Sequence, residues 1–244
     1  MTALVTGGGG AMGSAIAAEL ARRGHSIALA DISGNRLGQT AALLREEGFK
    51  VFAHRADVTE FDASKVLVDE AEKELGPIDV LVNVVGGYRG EMYESVFDIS
   101  LERFDEVMRM NLRSTFILTQ LVGQQMFARE RGRIINISSV AGYGATGQAD
   151  YAAAKAGVMG FTKSCALELA PHVTVNAVAP GVIQTSVMER IPSEIQEKYL
   201  ARIPLNHFGH PQDVANYVAF LASDDARYVT GEVLNISGGF LGWL

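Results

Sequence analysis

Ala3-Leu-Val-Thr6-Gly7-Gly8-Gly9-Gly10-Ala11-Met12-Gly13-Ser14 is a short apolar run that breaks into glycines and resumes as a helix, with Met12, Ile16 and Leu20 at helical spacing. Strand, glycine turn and helix in that order let a backbone come close to a pyrophosphate, whose charge the free N–H groups and dipole of the helix start favour. Gly24 closes the helix as a C-terminal cap, and Ser26 to Ala30 forms the next strand. Asp31 follows, 18 residues beyond Gly13. A carboxylate at that strand tip accepts hydrogen bonds from adenosine ribose hydroxyls and repels a 2′-phosphate. The glycine loop holds no arginine and Arg36 is the first after the strand, so nothing offsets that repulsion and NAD is expected rather than NADP. A strand-end aspartate also serves as a turn residue or N-cap, and Asp31 can do both.

Outward from this unit the chain alternates strand and helix to its end. Strands are expected at Ala3 to Val5, Ser26 to Ala30, Val51 to His54, Val80 to Val84, Arg133 to Ile137, Val173 to Val178 and Val233 to Ile236. The clearer helices run Arg36 to Glu47, Phe61 to Leu75, Leu101 to Arg129, Tyr151 to Ala170 and Pro211 to Ala222. The implied architecture is α/β: a single-domain Rossmann fold over residues 1–244, doubly wound, with a parallel seven-stranded sheet and ligands at the strand C-terminal ends. Residues 186–210 fit less regular structure and read as a flap over the substrate.

Asp150-Tyr-Ala-Ala-Ala-Lys-Ala-Gly157 places Tyr151 and Lys155 on one helical face, with Ser138 and Ser139 upstream. Tyr-x-x-x-Lys is a short pattern that also arises by accident; the nucleotide-binding signature before it and the Pro180-Gly181 loop after it give it weight. An ammonium beside a phenol favours phenolate. Bringing a tyrosine from ~10 toward ~7 takes roughly 4 kcal/mol, and one close, partly buried charge supplies that.

These motifs resemble the short-chain dehydrogenase/reductase family over essentially the whole chain. Against its Thr-Gly-x-x-x-Gly-x-Gly pattern, Gly7 and Gly13 match and Ala11 replaces the middle glycine, with Gly10 beside it partly relieving the added methyl. Asp57-Val58 resembles the pair that contacts adenine. Asn83-Val-Val-Gly86-Gly87 stands where the family has Asn-Asn-Ala-Gly, matching at Asn83 and Gly86. Asn111 matches the helix asparagine whose main chain holds a relay water, and Pro180-Gly-Val-Ile183-Gln-Thr185 is similar to the loop that holds the nicotinamide carboxamide. Val229 to Gly239 resembles the last strand and its closing glycines. The resemblance thus implies a cofactor site of Gly7, Gly10, Ala11, Met12, Gly13, Asp31, Ile32, Asp57, Val58, Asn83, Gly86, Tyr151, Lys155, Pro180, Gly181, Ile183 and Thr185.

The catalytic set implied is Asn111, Ser139, Tyr151 and Lys155. Family spacing of 13 residues before the tyrosine selects Ser138, whereas the local motif Asn136-Ile-Ser-Ser139-Val-Ala-Gly142 selects the second serine. Ser139 is preferred, because a loop absorbs a one-residue deletion more readily than a strand end changes register. Tyr151 would exchange the substrate proton, Ser139 would hydrogen-bond the substrate oxygen, and Lys155 would lower the Tyr151 pKa and bond the nicotinamide ribose. The expected reaction is reversible hydride transfer between NAD(H) and a secondary alcohol or ketone. The Gly147-Gln-Ala-Asp-Tyr151 context also resembles oxoacyl-carrier-protein reductases, so an NADPH-linked ketone or 3-oxoacyl-thioester reductase is the alternative, with a silent nucleotide-binding scaffold as a third reading.

A net charge of −7 argues against nucleic-acid or anionic-membrane partners, and 48% apolar residues supply a large core. The chain opens directly into its first strand, no long apolar run predicts a membrane span, and a cytoplasmic setting is expected. The single Cys165 reads as a small buried hydrophobe. His207-Phe-Gly-His210 is too sparse for a metal site, and no catalytic metal is expected. Tyr88, Arg89, Tyr93, Tyr143, Met188, His207, Phe208 and Trp243 are expected pocket liners, with ordinary packing the competing account of each. The resemblance implies a homotetramer, or a homodimer, built on the two long helices and the C-terminal strand region.

Overall fold

The computed structural model describes residues 1–88, 90–91, 93–185, 188 and 191–240. Seven strands form one parallel sheet: β1 (Thr2–Thr6), β2 (Ser26–Asp31), β3 (Val51–Arg55), β4 (Ile78–Asn83), β5 (Gly132–Ile137), β6 (Val173–Pro180) and β7 (Val233–Ile236). Their order is β3-β2-β1-β4-β5-β6-β7, the doubly wound arrangement the alternation predicts. The helices are α1 (Ala11–Arg22), α2 (Gly34–Glu46), α3 (Phe61–Leu75), α4 (Leu101–Met108), α5 (Ser114–Ala128), α6 (Ala149–Leu169), α7 (Ser193–Leu200) and α8 (Pro211–Leu221).

The strands are apolar at successive positions because both faces of the sheet are covered. The period of two still sorts them. Ala3, Val5, Ile27, Leu29, Val80, Val82, Ile135 and Ile137 face α1, α2 and α8, against Ile16, Leu20, Leu37, Leu44, Val214 and Val218. Leu4, Ala28, Leu81 and Ile134 face the other way, against Leu67 and Val68 of α3 and Leu118, Val122 and Met126 of α5. Each fully buried aliphatic side chain contributes about 1.5–3 kcal/mol.

Two elements differ from the sequence expectation. The helix expected to run unbroken from Leu101 to Arg129 is split by a π turn at Arg109–Arg113. The stretch 186–210, expected to be irregular, contains α7, whose entry is fixed by Gln196 Nε2 donating to Met188 O and Ile191 O at 3.0 and 2.7 Å. Four of its residues, 186, 187, 189 and 190, lie outside the described residues.

The strand order reverses between β1 and β4, which opens a crevice at their C-terminal ends. Thr6 fixes its floor, its Oγ1 accepting from the Val84 and Val85 amides at 2.9 and 3.2 Å. The glycine turn after β1 and the loop after β4 are thereby held side by side.

Candidate active site

The glycine turn fits a dinucleotide on structural grounds. Gly7 takes φ of +63°, and a Cβ on Gly13 would lie 2.2 Å from the Gly7 carbonyl oxygen, so α1 closes on the turn only with glycine there. The N-cap of α1 is Gly10, whose lack of a side chain leaves the first helical N–H groups for an anion. Ala11, where the family motif has glycine, is exposed at the helix start, so its methyl does not crowd the turn.

Asp31 is 6% exposed and held from three sides. Its Oδ2 accepts from Gly9 N at 3.0 Å, and Oδ1 accepts from Ser33 N at 2.8 Å and from Arg36 Nη2 at 3.5 Å. It is a turn residue as well as a strand tip. The expectation that no arginine offsets Asp31 is corrected, since the first turn of α2 brings Arg36 back over it and Arg55 Nε donates to Ile32 O at 3.0 Å. Ile32 is 58% exposed beside this carboxylate. Asp57 sits one strand over; burial alone would raise its pKa, but two hydrogen bonds from Thr59 and the Arg109 and Arg113 charges bring it below the usual range. Val58 beside it is core.

The expected catalytic residues converge after β5. Tyr151 and Lys155 stand one turn apart on α6, and Ser139 follows β5, its hydroxyl on the side of the Tyr151 phenol, whose pKa it lowers, while accepting from Ala141 N at 3.2 Å. Ser138 is differently engaged: it is buried and its hydroxyl donates to Lys155 O at 2.9 Å. Of the two serines only Ser139 turns toward the phenol. Lys155 Nζ donates to Ile137 O at 2.8 Å and lies 5.7 Å from the centre of the Tyr151 ring. A Cβ on Gly86 would fall 2.8 Å from this nitrogen and 2.5 Å from Asn111 Oδ1, so glycine there leaves room for both.

Asn111 lies within the π turn, fully buried, its side chain clamping both the N–H and the C=O of Gly87 at 2.9 Å. A π turn loosens local carbonyl pairing and is frequent at functional sites. Ile183 forms a one-residue parallel bridge with Gly209, and Pro180 closes β6. A Cβ on Gly181 would meet Ser237 Cβ at 2.5 Å, so this glycine serves the approach of β6 to β7. Thr185 stands just beyond, its carbonyl accepting from Met188 N at 2.8 Å.

Asn83 departs from its expected place at the cofactor. It is 2% exposed and its Nδ2 donates to Asn136 Oδ1 at 2.9 Å and Thr119 Oγ1 at 3.3 Å, inside the layer beneath the sheet. The expected lowering of the Tyr151 pKa by Lys155 is also overturned for the protein alone. Burial pushes the phenol up to about 12, opposed by the Ser139 hydrogen bond, and the Lys155 ammonium is turned to the Ile137 carbonyl.

Burial pushes Lys155 down to about 8 from 10.5. The folded value lies below the unfolded one, so the unfolded chain holds more protons between those limits and this residue makes stability rise with pH across the window. Stability of the native chain relative to Lys155→Met is therefore expected to rise by about 3 kcal/mol from pH 8 to 10.5, at ~1.36 kcal/mol per unit, in parallel denaturant titrations. A difference that stays flat over that range would remove burial of the charge as the cause.

Tyr88 is the expected pocket liner nearest the chemistry: its ring packs on Tyr151 at 4.1 Å between centroids and its hydroxyl donates to Gln148 Oε1 at 2.8 Å. Tyr93 and Tyr199 are hydrogen-bonded through their hydroxyls. Tyr143 donates to Asn235 Oδ1 at 3.2 Å, Met188 is buried, and Phe208 packs in a small cluster with Val140, Ile203 and Phe240. Arg89 and Trp243 lie outside the described residues. His207 Nδ1 meets the Phe208 carbonyl at 3.0 Å and His210 caps α8, its N–H donating to Asp213 at 2.7 Å. Among the described residues no three His, Cys, Asp or Glu side chains are grouped to hold a metal, and no helix is long and apolar enough to cross a membrane.

Residues 9–241 match the family model described as enoyl-(acyl carrier protein) reductase. The chain is 43% identical to nodulation protein G of Azospirillum brasilense, over 97% of this chain and 96% of that protein. It is 42% identical to the 3-oxoacyl-[acyl-carrier-protein] reductase of Thermotoga maritima, over 98% and 96%. It is 41% identical to the (3R)-3-hydroxyacyl-CoA dehydrogenase of Rattus norvegicus, over 97% and 95%. With the parallel sheet, the glycine turn and the serine, tyrosine and lysine gathered after β5, these matches establish that the chain belongs to the short-chain dehydrogenase/reductase family of oxidoreductases.

Proposed function

We propose that the protein carries out reversible hydride transfer between NAD(H) and a secondary alcohol or ketone, with Tyr151 as general acid and base. The observation that carries this reading is the buried Tyr151 phenol, with the Ser139 hydroxyl close enough to oppose the rise of its pKa and the buried Lys155 one turn away on the same helix. The nicotinamide supplies the hydride acceptor or donor when bound. The glycine turn and the start of α1 would hold the pyrophosphate, Asp31 the adenosine ribose, Ile32, Asp57 and Val58 the adenine, and Gly86, Pro180, Gly181, Ile183 and Thr185 the nicotinamide end. Ser139 donates to the substrate oxygen where charge develops. Tyr151 passes the hydroxyl proton, Lys155 would bond the nicotinamide ribose and, with the cofactor bound, lower the Tyr151 pKa, and the Asn111 main chain holds relay water. Residues 186–210, α7 included, serve as the substrate flap.

The names of the relatives support a 3-hydroxyacyl or 3-oxoacyl thioester as the first substrate class within this reading. An NADPH-linked reductase is the second reading, favoured by Arg36, 60% exposed beside Asp31. For assembly, a homotetramer or homodimer through α5 and α6 is supported by a cavity of about 540 Å³ lined by Phe116 of α5, Gly157 and Phe161 of α6, and Leu112 of the π turn before α5. A cytoplasmic setting is supported by the single cysteine.

Titration with NAD, NADH, NADP and NADPH, followed by reduced-nicotinamide absorbance over a panel of secondary alcohols, ketones and 3-hydroxyacyl thioesters, tests the reading. Selective NAD(H) binding with turnover is expected. Preference for NADPH moves the protein to the second reading, and binding without turnover across the panel makes it a nucleotide-binding scaffold.

A further inference from the structure

We infer that Arg103 is a positioning residue that locks one wall of the substrate pocket to the helix turn carrying Tyr151, an inference that rests on the oxidoreductase reading of that tyrosine. Arg103 lies in the first turn of α4, and its side chain is only 10% exposed. Its Nε donates to Asp150 Oδ2 at 2.8 Å, and Asp150 is 1% exposed. The other oxygen of that carboxylate accepts from the Tyr151 N–H at 2.8 Å, so the guanidinium and the catalytic helix share one acid. Through Nη1 the same guanidinium pairs with Glu94.

Glu94 belongs to the loop between β4 and α4, and that loop is zipped to the approach to α6. Its N–H donates to Gly147 O at 3.0 Å. Gly147 has φ of +73°, and a Cβ there would lie 3.0 Å from Tyr93 Cα, so the two backbones touch with no side chain between them. Tyr93 then reaches the flap helix α7 by its hydrogen bond to Tyr199. Among the described residues, Arg103 is thus the one cation through which the loop bearing Tyr93 and the turn bearing Tyr151 are both held.

A structural ion pair of two partners does not need a third donor buried. Yet Nη2 of Arg103 is buried with no acceptor among the described residues, a state that is uncommon and destabilising. A lysine would serve one carboxylate without that burden; the planar fork of arginine is what reaches Asp150 and Glu94 together. The two acids lie on segments 47 and 9 residues away in sequence, so what the arginine fixes is their mutual position.

The test uses Arg103→Lys, Asp150→Asn and the pair Arg103→Met with Asp150→Asn, which removes the two most buried charges together and leaves only Glu94, 29% exposed, without its partner. In the double variant kcat is expected to fall about ten- to hundredfold, as a small misplacement near the chemistry does. KM and the NADH dissociation constant are expected to stay within about twofold of the native values by the same reasoning. Arg103→Lys is expected to lose nearly as much, while Asp150→Asn, whose one acceptor oxygen can serve Nε or the Tyr151 N–H but not both, loses an intermediate amount. Hydrogen exchange at residues 144–155 and 93–94 is expected to quicken together in the double variant while the β1 to α1 segment is unchanged.

That exchange readout needs no substrate, so a native protein without turnover on the panel would defeat the oxidoreductase reading and leave the coupling of the two segments to be decided by exchange. Unchanged exchange at both segments would overturn the inference. So would full activity in the double variant, or a loss that appears in NADH affinity as much as in kcat.

Discussion

Tyr151→Phe is expected to lower turnover by about a thousandfold, within the 10²–10⁴ span of general acid–base catalysis, while NADH affinity stays within about twofold. The substitution removes one oxygen from a ring that is otherwise held by packing, with Tyr88 at 4.1 Å between centroids and Val107, Ala141 and Ala154 around it. Ser139 keeps its contact with the Ala141 amide, so the partner hydroxyl stays in place. The fold therefore survives and the loss reads as chemistry. Burial holds the phenol at about 12 in the protein alone, which makes Tyr151 a proton donor across the neutral range and asks more of it as a base. Activity in the oxidising direction is accordingly expected to climb with pH more steeply than in the reducing direction. The serines give the matching contrast. Ser139→Ala is expected to lower kcat about a hundredfold, as loss of one donor to a developing oxyanion does. Ser138→Ala loses only a bond to the Lys155 carbonyl, worth about 1 kcal/mol of stability. Normal turnover in Tyr151→Phe, measured by reduced-nicotinamide absorbance, would remove the phenol from the reaction.

The periodicities that the sequence displays are those that the sheet and its helices need. Phe61–Leu75 and Val233–Ile236 are found as expected, and the other strands agree to within two residues at each end. What stayed hidden has identifiable causes. The π turn at Arg109–Arg113 inserts a wider turn without a proline or glycine to mark it, and the flanking residues keep a helical period, so Leu101 to Arg129 reads as one helix. Asn83 was legible and misread: it shares the parity of Leu81, which faces α3 and α5, so its side chain had to enter that layer. The register puts it opposite Asn136, which faces the same way and donates to Thr162 Oγ1 at 2.9 Å. The family match at this position preserves a polar brace within the core. Arg103 with Asp150 carries no local signal, since a pair 47 residues apart is set only by how α4 and α6 pack. Arg36 is the same lesson at short range: a residue counted as absent from the loop returns to Asp31 because α2 begins within one turn of the strand.

Asp31→Asn is expected to reduce the preference for NAD over NADP by about a hundredfold, close to 3 kcal/mol at 1.4 kcal/mol per decade. The carboxylate acts in three ways. Its two oxygens fix the glycine turn through Gly9 and the strand exit through Ser33. In the NAD reading it would present negative charge to a bound ribose, where a 2′-phosphate would meet repulsion of a few kcal/mol at protein-like dielectric. It also occupies the Arg36 guanidinium, which at 60% exposure forms only a weak pair with it. Asparagine keeps the shape and one acceptor oxygen, so the turn is largely preserved and NAD binding is expected to weaken only a few-fold. The same change removes the repulsion and frees Arg36 for phosphate, so most of the shift is expected as a gain of NADP affinity. Adding Arg36→Ala to Asp31→Asn should reverse that gain and leave NAD affinity alone. Titrations of the three proteins with both nucleotides at fixed ionic strength separate the contributions. A native protein that already prefers NADP, with Arg36→Ala abolishing the preference, would show that the arginine outweighs the carboxylate, and the assignment of the cofactor would pass from Asp31 to Arg36.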